Sequence, residues 1–344
     1  MRLGGRGERD GAPAGLAAAL ERGVRWLESK EVRQPGDWCV KNPGVEPSGW
    51  AFELNNVFYP DTDDTMMVLL ALARVRQETG DGSQEERHAA RLPTPDSCLL
   101  SPVFARALRW LLSFQCRDGG WAAFDRNVTQ RWLEDVPFAD HNAILDPTCS
   151  DLTGRVLELL GFIGHPRESR AVQRALAFLH RTQDADGSWY GRWGVNYIYG
   201  TWQVLRGLRS IGEDMRQPWI VRARDWLESC QNEDGGWGET CASYDDPHLK
   251  GKGSSTPSQT AWALMGLIAA CDPARPAELE RRCIRRGIEF LLERQNADGS
   301  WPEPETTGTG FPRVFYLRYD MYRNNWPLLA LATWRREAGG VRVE

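Results

Sequence analysis

The sequence predicts an all-α protein, an α/α toroid of the six-pair barrel type, either closed or with part of the ring absent. Three observations lead there. A Q-x-x-D-G-[GS]-W motif recurs in four clean copies, QCRDGGW (115–121), QDADGSW (183–189), QNEDGGW (231–237) and QNADGSW (295–301). Each copy closes a helical run of shared pattern: RALRWLLSFQ, RALAFLHRTQ, RARDWLESCQ and RGIEFLLERQ. Between successive copies there is room for a second helix, and no series of alternating, strand-like segments appears. Helix pairs repeated in this way stack into a solenoid or close into a ring. The helices alternate in polarity, which suits a ring with the Gln-ending helix of each pair outside.

Taken in order, residues 1–13 read as a disordered tail, and 14–344 as one α/α-barrel domain without a linker. Apolar periodicity predicts helices near 15–30, 63–78, 101–115, 151–163, 169–183, 197–212, 218–231, 256–271, 276–295 and 320–337. A degraded fifth motif, RGVRWLESKEVRQPGDW (22–38), follows the first helix, with Glu31 at the Gln position and Trp38 at its close. The polar, Pro-tipped stretch 76–97 reads as a surface loop. Ten helices fall two short of the twelve that a closed six-pair barrel requires.

The motif itself has a structural reading. Asp-Gly supplies a tight turn that Gly can enter. The Gln amide can satisfy orphan groups at helix ends, and the indole shields it from water.

Composition removes several function classes. The net charge is −5, and no Lys/Arg run offers a nucleic-acid surface. No apolar stretch is long enough to span a bilayer, and the N-terminus lacks a signal-peptide core. The eight Cys contain no CxxC pair and the five His have no ligand spacing, so no zinc site and no other metal is expected. Reduced thiols in a cytoplasmic chain are the plain expectation. Sixteen Trp are unusual, and the motif accounts for only part of them.

The chemistry-bearing segment is YPDTDDT (59–65), where Asp61, Asp63 and Asp64 crowd the start of an apolar helix. Asp and Thr there cap free N–H groups and favour the helix dipole. Three carboxylates exceed what capping needs, however, and mutual repulsion raises the pKa of at least one.

With its surroundings the segment becomes specific. GDWCVKNPGVEPSGWAFELNNVFYPDTDDT (36–65), GSWYGRWGVNYIYGTWQVLRGL (187–208), GGWGETCASYDDPHLKGKGSSTPSQTAWALMGL (235–267) and GTGFPRVFYLRYDMYRNNWPLLAL (308–331) carry it. Through these stretches the chain resembles the squalene–hopene cyclase family of triterpene cyclases across about residues 14–337.

The resemblance implies protonation of a terminal alkene followed by cation-driven ring closure, with no cofactor. It implies Asp63 as proton donor, Asp61 and Asp64 as its carboxylate neighbours, and Tyr199 as the residue that helps to reprotonate the acid through water. The family's histidine beside the donor is replaced here by Arg155, with Asp151 ahead of it. Arg155 then either takes over the histidine's role, being permanently charged, or neutralises Asp151 in an ion pair. Cavity aromatics by resemblance are Phe52, Phe124, Trp193, Phe311, Phe315, Tyr319 and Tyr322, with Phe124 in place of a tyrosine. By spacing alone, Phe311/Phe315 and Tyr319/Tyr322 are helical neighbours of a core stripe. Neither a diphosphate pocket nor a Gly-rich phosphate loop is present.

Family members are much longer, so the chain resembles their acid-bearing C-terminal half. The partners expected are squalene or a related polyprene, a separate N-terminal half, or further copies of the chain through an exposed apolar face. Contact with the inner membrane face is implied only peripherally. The rival readings are a cyclase for a shorter polyprene and a non-catalytic toroid that holds an apolar ligand or a partner chain. Protein prenyltransferase β-subunits share the toroid but need a zinc triad, for which no candidate exists.

Overall fold

The computed structural model describes residues 15–53, 56–79, 101–128, 130, 145–272 and 275–338. The expected tail (1–13) and most of the expected surface loop lie outside them. The described residues form helices α1 (Leu16–Ser29), α2 (Thr62–Thr79), α3 (Pro102–Ser113), α4 (Ser150–Phe162) and α5 (Arg170–Thr182). They continue with α6 (Tyr197–Ser210), α7 (Pro218–Ser229), α8 (Pro257–Ala270), α9 (Arg282–Glu293) and α10 (Tyr322–Ala338). Among the described residues, no helix is long and apolar enough to cross a membrane.

Local chemistry sets the helix starts. Ser101 and Thr256 accept the N–H of Phe104 and Gln259, and Pro102, Pro218 and Pro257 occupy first-turn positions where no N–H is needed. The helix expected over 276–295 departs from expectation. Pro276–Glu280 forms a separate 3₁₀ turn, and Arg281 is extended (φ −53°, ψ 139°), so α9 starts afresh at Arg282.

The helices make two layers. In α3 the buried residues are Phe104, Ala107, Trp110 and Leu111, one stripe of a helix with a wet side; α5 and α9 are similar. In α8 every residue is buried, and α4 is buried from Ser150 to Leu160. The inner helices pack in succession, α2 on α4, α4 on α6, α6 on α8 and α8 on α10. Glycine permits the closest of these approaches. A Cβ on Gly207 would stand 2.1 Å from the Gly154 carbonyl oxygen, so α6 and α4 touch backbone to backbone. Five inner–outer pairs are thus present in the described residues.

The Gln motif ties each pair to the next. Gln115 Nε2 donates to the Gly119 carbonyl of its own turn and to the Ala171 carbonyl of α5. Gln183 and Gln231 repeat this with Gly187 and Trp219, and with Gly235 and Cys283. The indoles of Trp121, Trp189, Trp237 and Trp301 donate to the carbonyls of Leu111, Leu179, Leu227 and Leu291.

The fifth motif requires a correction. Trp50, not Trp38, fills the tryptophan position: its indole donates to the Leu27 carbonyl, and its backbone N–H donates to Thr65 Oγ1. Thr153, Thr201 and Thr260 accept from Trp121, Trp189 and Trp237 in the same way. The Trp38 indole N–H has no partner among the described residues. Glu31 stands at the Gln position and reaches the next outer helix through Arg106.

A second correction concerns 308–317. Phe311 and Phe315 are not helical neighbours; they sit in an antiparallel hairpin, β1 (Gly308–Phe311) and β2 (Phe315–Leu317), paired Gly308↔Leu317 and Phe311↔Phe315. Arg313 turns the chain in the left-handed region (φ 69°), and a Cβ on Gly310 would lie 2.0 Å from the Phe315 ring. Glycines and a proline at 308–312 interrupt helical pairing there.

Candidate active site

The acidic cluster sits where α2 begins. Asp61 pairs as an isolated bridge with Trp50, which fixes the entry of the chain. It is also the helix cap: Asp61 Oδ1 accepts the Asp64 N–H at 2.7 Å and Oδ2 accepts the Phe52 N–H at 3.2 Å. Asp61 is 3% exposed, and burial, with the Asp64 charge beside it, pushes its carboxyl well above the ordinary range. Burial and then the Asp63 charge raise Asp64 to about 6. The cluster therefore retains a proton under conditions in which an isolated aspartate would be fully ionised.

Asp63, between Asp61 and Asp64 in the sequence, is joined to two other inner helices through Arg155. Arg155 of α4 donates from Nη1 to Asp63 Oδ1 at 2.5 Å and from Nη2 to the Tyr199 hydroxyl of α6 at 2.6 Å. Burial, the largest single influence, works against the guanidinium charge, but Asp63 together with the Tyr199 and Tyr322 hydroxyls outweighs it, and Arg155 remains cationic. Burial likewise raises the Tyr199 hydroxyl well above its usual value, so it stays neutral.

This geometry separates the two readings of Arg155. Asp151 does not take the guanidinium; its Oδ2 accepts the N–H groups of Arg192 at 2.8 Å and Trp193 at 3.0 Å. Asp151 thereby fixes the turn that presents Trp193, while the ion pair of Arg155 goes to Asp63.

Around this centre most of the expected rings form two runs. Phe124 meets Trp193 (centroids 6.0 Å apart), Trp193 meets Phe311 (6.2 Å) and Phe311 meets Phe315 (5.7 Å). Tyr319 meets Tyr322 (4.7 Å), Tyr322 meets Trp262 (5.9 Å) and Trp262 meets Tyr199 (4.9 Å). The carboxylates of Asp64 and Asp63 are near enough to act on the Tyr319 hydroxyl, whose upward displacement comes chiefly from burial. Phe52 joins neither run. Its N–H is held by Asp61, its segment is irregular, and the residue is 64% exposed.

Sequence reasoning missed two contributors. Trp262 links the tyrosines, but its fully apolar helix reads as core. Asp146 is buried and accepts the N–H groups of Ala123, Phe124 and Asp125, which fixes the Phe124 turn. An aspartate before proline gave no signal beyond a turn.

Such a centre can hold a proton on crowded carboxyls, stabilise the anion left by its release with a fixed cation, and face aromatic π-surfaces rather than nucleophiles. Comparisons with known proteins agree with that chemistry. Residues 9–336 match the squalene-hopene cyclase C-terminal domain family. A probable squalene–hopene cyclase of Sinorhizobium fredii is 45% identical over 325 residues, covering 94% of this chain and 47% of that protein. The squalene–hopene cyclase of Alicyclobacillus acidocaldarius is 44% identical over 326 residues, covering 94% and 48%. The chain thus spans about half the length of these curated relatives. In fold it is similar to a type II terpene cyclase from Scytonema solved with geranylgeranyl dihydroxybenzoate, at a TM-score of 0.60 and 17% identity, covering 94% of this chain and 83% of that one. On its motifs and on this match, the chain belongs to the squalene-hopene cyclase C-terminal domain family.

Proposed function

We propose that the chain is the acid-bearing part of a class II triterpene cyclase, an isomerase that converts squalene to a hopene- or hopanol-type product without a cofactor. The observation that carries this is the Asp63–Arg155–Tyr199 constellation beside two runs of rings. In the reading, Asp63 is the donor. Its O–H bond breaks, a C–H bond forms at the terminal alkene, and the positive charge moves to the neighbouring carbon. Arg155 holds the carboxylate left behind, and the crowded Asp61 and Asp64 keep the cluster supplied with protons. Ring closures then carry the cation past the aromatic faces, each contributing about 0.5–2 kcal/mol of cation–π stabilisation. The final cation loses a proton, or adds water and then loses a proton from the resulting oxonium, and either way the proton taken from Asp63 is balanced by one released.

The complete chamber needs a cover. Phe52, Phe58 and Met321 are 64%, 60% and 67% exposed, as befits side chains that another segment would bury. The reading assigns that segment to the N-terminal half of the enzyme or to a second copy of the chain. It also assigns peripheral contact with the inner membrane face, where a polyprene dissolves. A cyclase for a shorter polyprene is the second reading.

Incubation with squalene and with geranylgeranyl-type substrates, alone and with a supplied N-terminal half, tests both, with product analysis and Asp63→Asn as control. Squalene turnover in the mixture supports the first reading, and turnover of the shorter polyprene by the chain alone supports the second. No product from either would leave a toroid that binds apolar ligands.

A further inference from the structure

The hairpin that carries Phe311 and Phe315 cannot hold itself in place. Its strands have four and three residues, and a two-stranded hairpin alone is marginally stable in water. Val314 in its turn and Phe315 beyond it are 38% and 36% exposed. At the root it is tied to the turn that presents Trp193: the Val195 N–H donates to the Thr307 carbonyl, and Gly194 bridges Gly308. A Cβ on Gly194 would stand 2.5 Å from the Tyr199 ring, and one on Gly308 2.4 Å from the Tyr319 ring. The root therefore lies against two rings of the candidate site, and the rest of the hairpin needs a further anchor.

Tyr244 supplies it. The residue ends a short 3₁₀ turn (Cys241–Tyr244), is 2% exposed, and meets the hairpin at three places. Its hydroxyl lies 2.9 Å from Thr309 Oγ1, its carbonyl accepts from Arg313 Nε at 3.1 Å, and its ring stacks on Tyr316 with centroids 5.6 Å apart. The same hydroxyl lies 2.7 Å from the Gly191 carbonyl oxygen and 2.8 Å from that of Gly194, on either side of Trp193. That turn depends on side chains for its hydrogen bonds. Asp151 accepts the N–H groups of Arg192 and Trp193, Asn196 Oδ1 accepts that of Gly191, and Tyr244 serves the two carbonyls.

The hydroxyl has one hydrogen. Both carbonyls can only accept, so they share it, and Thr309 Oγ1 must donate to the Tyr244 oxygen. Burial raises the hydroxyl well above its usual pKa, so the hydrogen is retained. Losing this one oxygen would take a partner from two carbonyls and a buried threonine at once.

Trp193 and Phe311 meet across this junction at 6.2 Å. In the cyclase reading, on which this inference rests, both rings stabilise passing cations, and a ring does so only within about 6 Å of its centroid. A cation that lacks such a ring gives up a proton to the base that ends the normal reaction. The C–H electron pair becomes a double bond, and cyclisation stops with fewer rings. We propose that Tyr244 is a positioning residue that sets product specificity: its hydroxyl locks the Trp193 turn to the Phe311 hairpin and so fixes how many rings close before the proton is lost.

Tyr244→Phe and Thr309→Val keep shape and each remove one side of the contact. With squalene and the N-terminal half supplied, both variants should still consume squalene, because the Asp63–Arg155 pair is untouched. The share of partly cyclised product should rise about fivefold in Tyr244→Phe and less in Thr309→Val. The double variant should match Tyr244→Phe, since the threonine contact is already gone; additive effects overturn the lock. Lower turnover and a lower thermal midpoint at an unchanged product ratio would show a merely structural role and overturn it as well. A second measurement is independent of activity: hydrogen exchange of the 309–317 amides should quicken about tenfold in Tyr244→Phe, while that of α8 stays unchanged. Unchanged exchange in the hairpin of an enzyme that cyclises squalene overturns the lock and leaves the cyclase reading intact. A loosened hairpin in a chain whose parent cyclises nothing, even with its other half supplied, refutes the cyclase reading and with it the specificity role.

Discussion

Arg155 Nη1 lies 2.5 Å from Asp63 Oδ1, across 92 positions of sequence, while its second nitrogen holds Tyr199. One planar cation therefore holds the Asp63 carboxylate and a buried hydroxyl together from two of its nitrogens, in the fixed fork geometry that a lysine lacks. The Asp63 side chain is only 26% exposed, and that of Arg155 7%.

Asp63→Asn removes the transferable proton and preserves shape. Cyclisation should fall by at least about 10³-fold, since general acid catalysis alone contributes 10²–10⁴. The thermal midpoint should stay within a few degrees of the parent, read by circular dichroism. Activity above one-tenth of the parent would remove Asp63 from the donor role.

Arg155→His should introduce a pH dependence. A guanidinium is charged at every working pH, whereas an imidazole loses its charge near ~6.5. Because the cation supports the Asp63 anion, the variant should be most active below its imidazole pKa and should decline as pH rises through it. A kcat/KM profile that matches the parent's would count against Arg155 as the anion's partner.

Asp64→Asn should stabilise the protein at pH 8 and change little at pH 4. The folded carboxyl titrates at about 6, above the unfolded value near 3.8. Between those values the folded state holds the extra proton, so stability declines as pH rises through that window and is flat above it. The amide escapes this, a gain on the order of 2–3 kcal/mol by that shift. Thermal midpoints at the two pH values read the difference, and equal effects at both would refute the assignment.

Trp50→Phe and Trp38→Phe should separate the two candidates for the fifth motif. The Trp50 indole donates to the Leu27 carbonyl from a buried site, and its loss leaves that carbonyl only the Lys30 N–H, a lost hydrogen bond worth about 0.5–1.5 kcal/mol on top of the lost packing. Trp38 makes no such bond among the described residues, and its replacement should cost less. Urea titration decides, and the reverse order would restore Trp38 to the motif.

The exposed side chains at the acid end predict association. Without a covering half, the chain should self-associate at micromolar concentration, and Phe52→Ser with Met321→Ser should reduce it. Light scattering that finds a monodisperse parent monomer would contradict this.

Much of the architecture was legible because its determinants are local. Apolar period and caps located all ten described helices, and the Gln–Trp turns marked the outer ones. The Asp-Gly turn repeats because it needs only neighbouring residues. The acidic helix start was equally plain at Asp61, whose capping bond spans three positions.

What only the tertiary structure decided involves partners far apart in the chain. Whether Arg155 serves Asp151 or Asp63 depends on how α4 packs on α2. Whether Trp38 or Trp50 closes the first motif depends on where Leu27 and Thr65 meet. The hairpin at 308–317 escaped because four-residue spacing of Phe311 and Phe315 suits a helix as well as a pair across a turn. Sequence periodicity reports which face of a segment is buried, but not against which distant side chain; that choice is made when the inner helices close on one another and burial makes an unpaired charge or N–H costly.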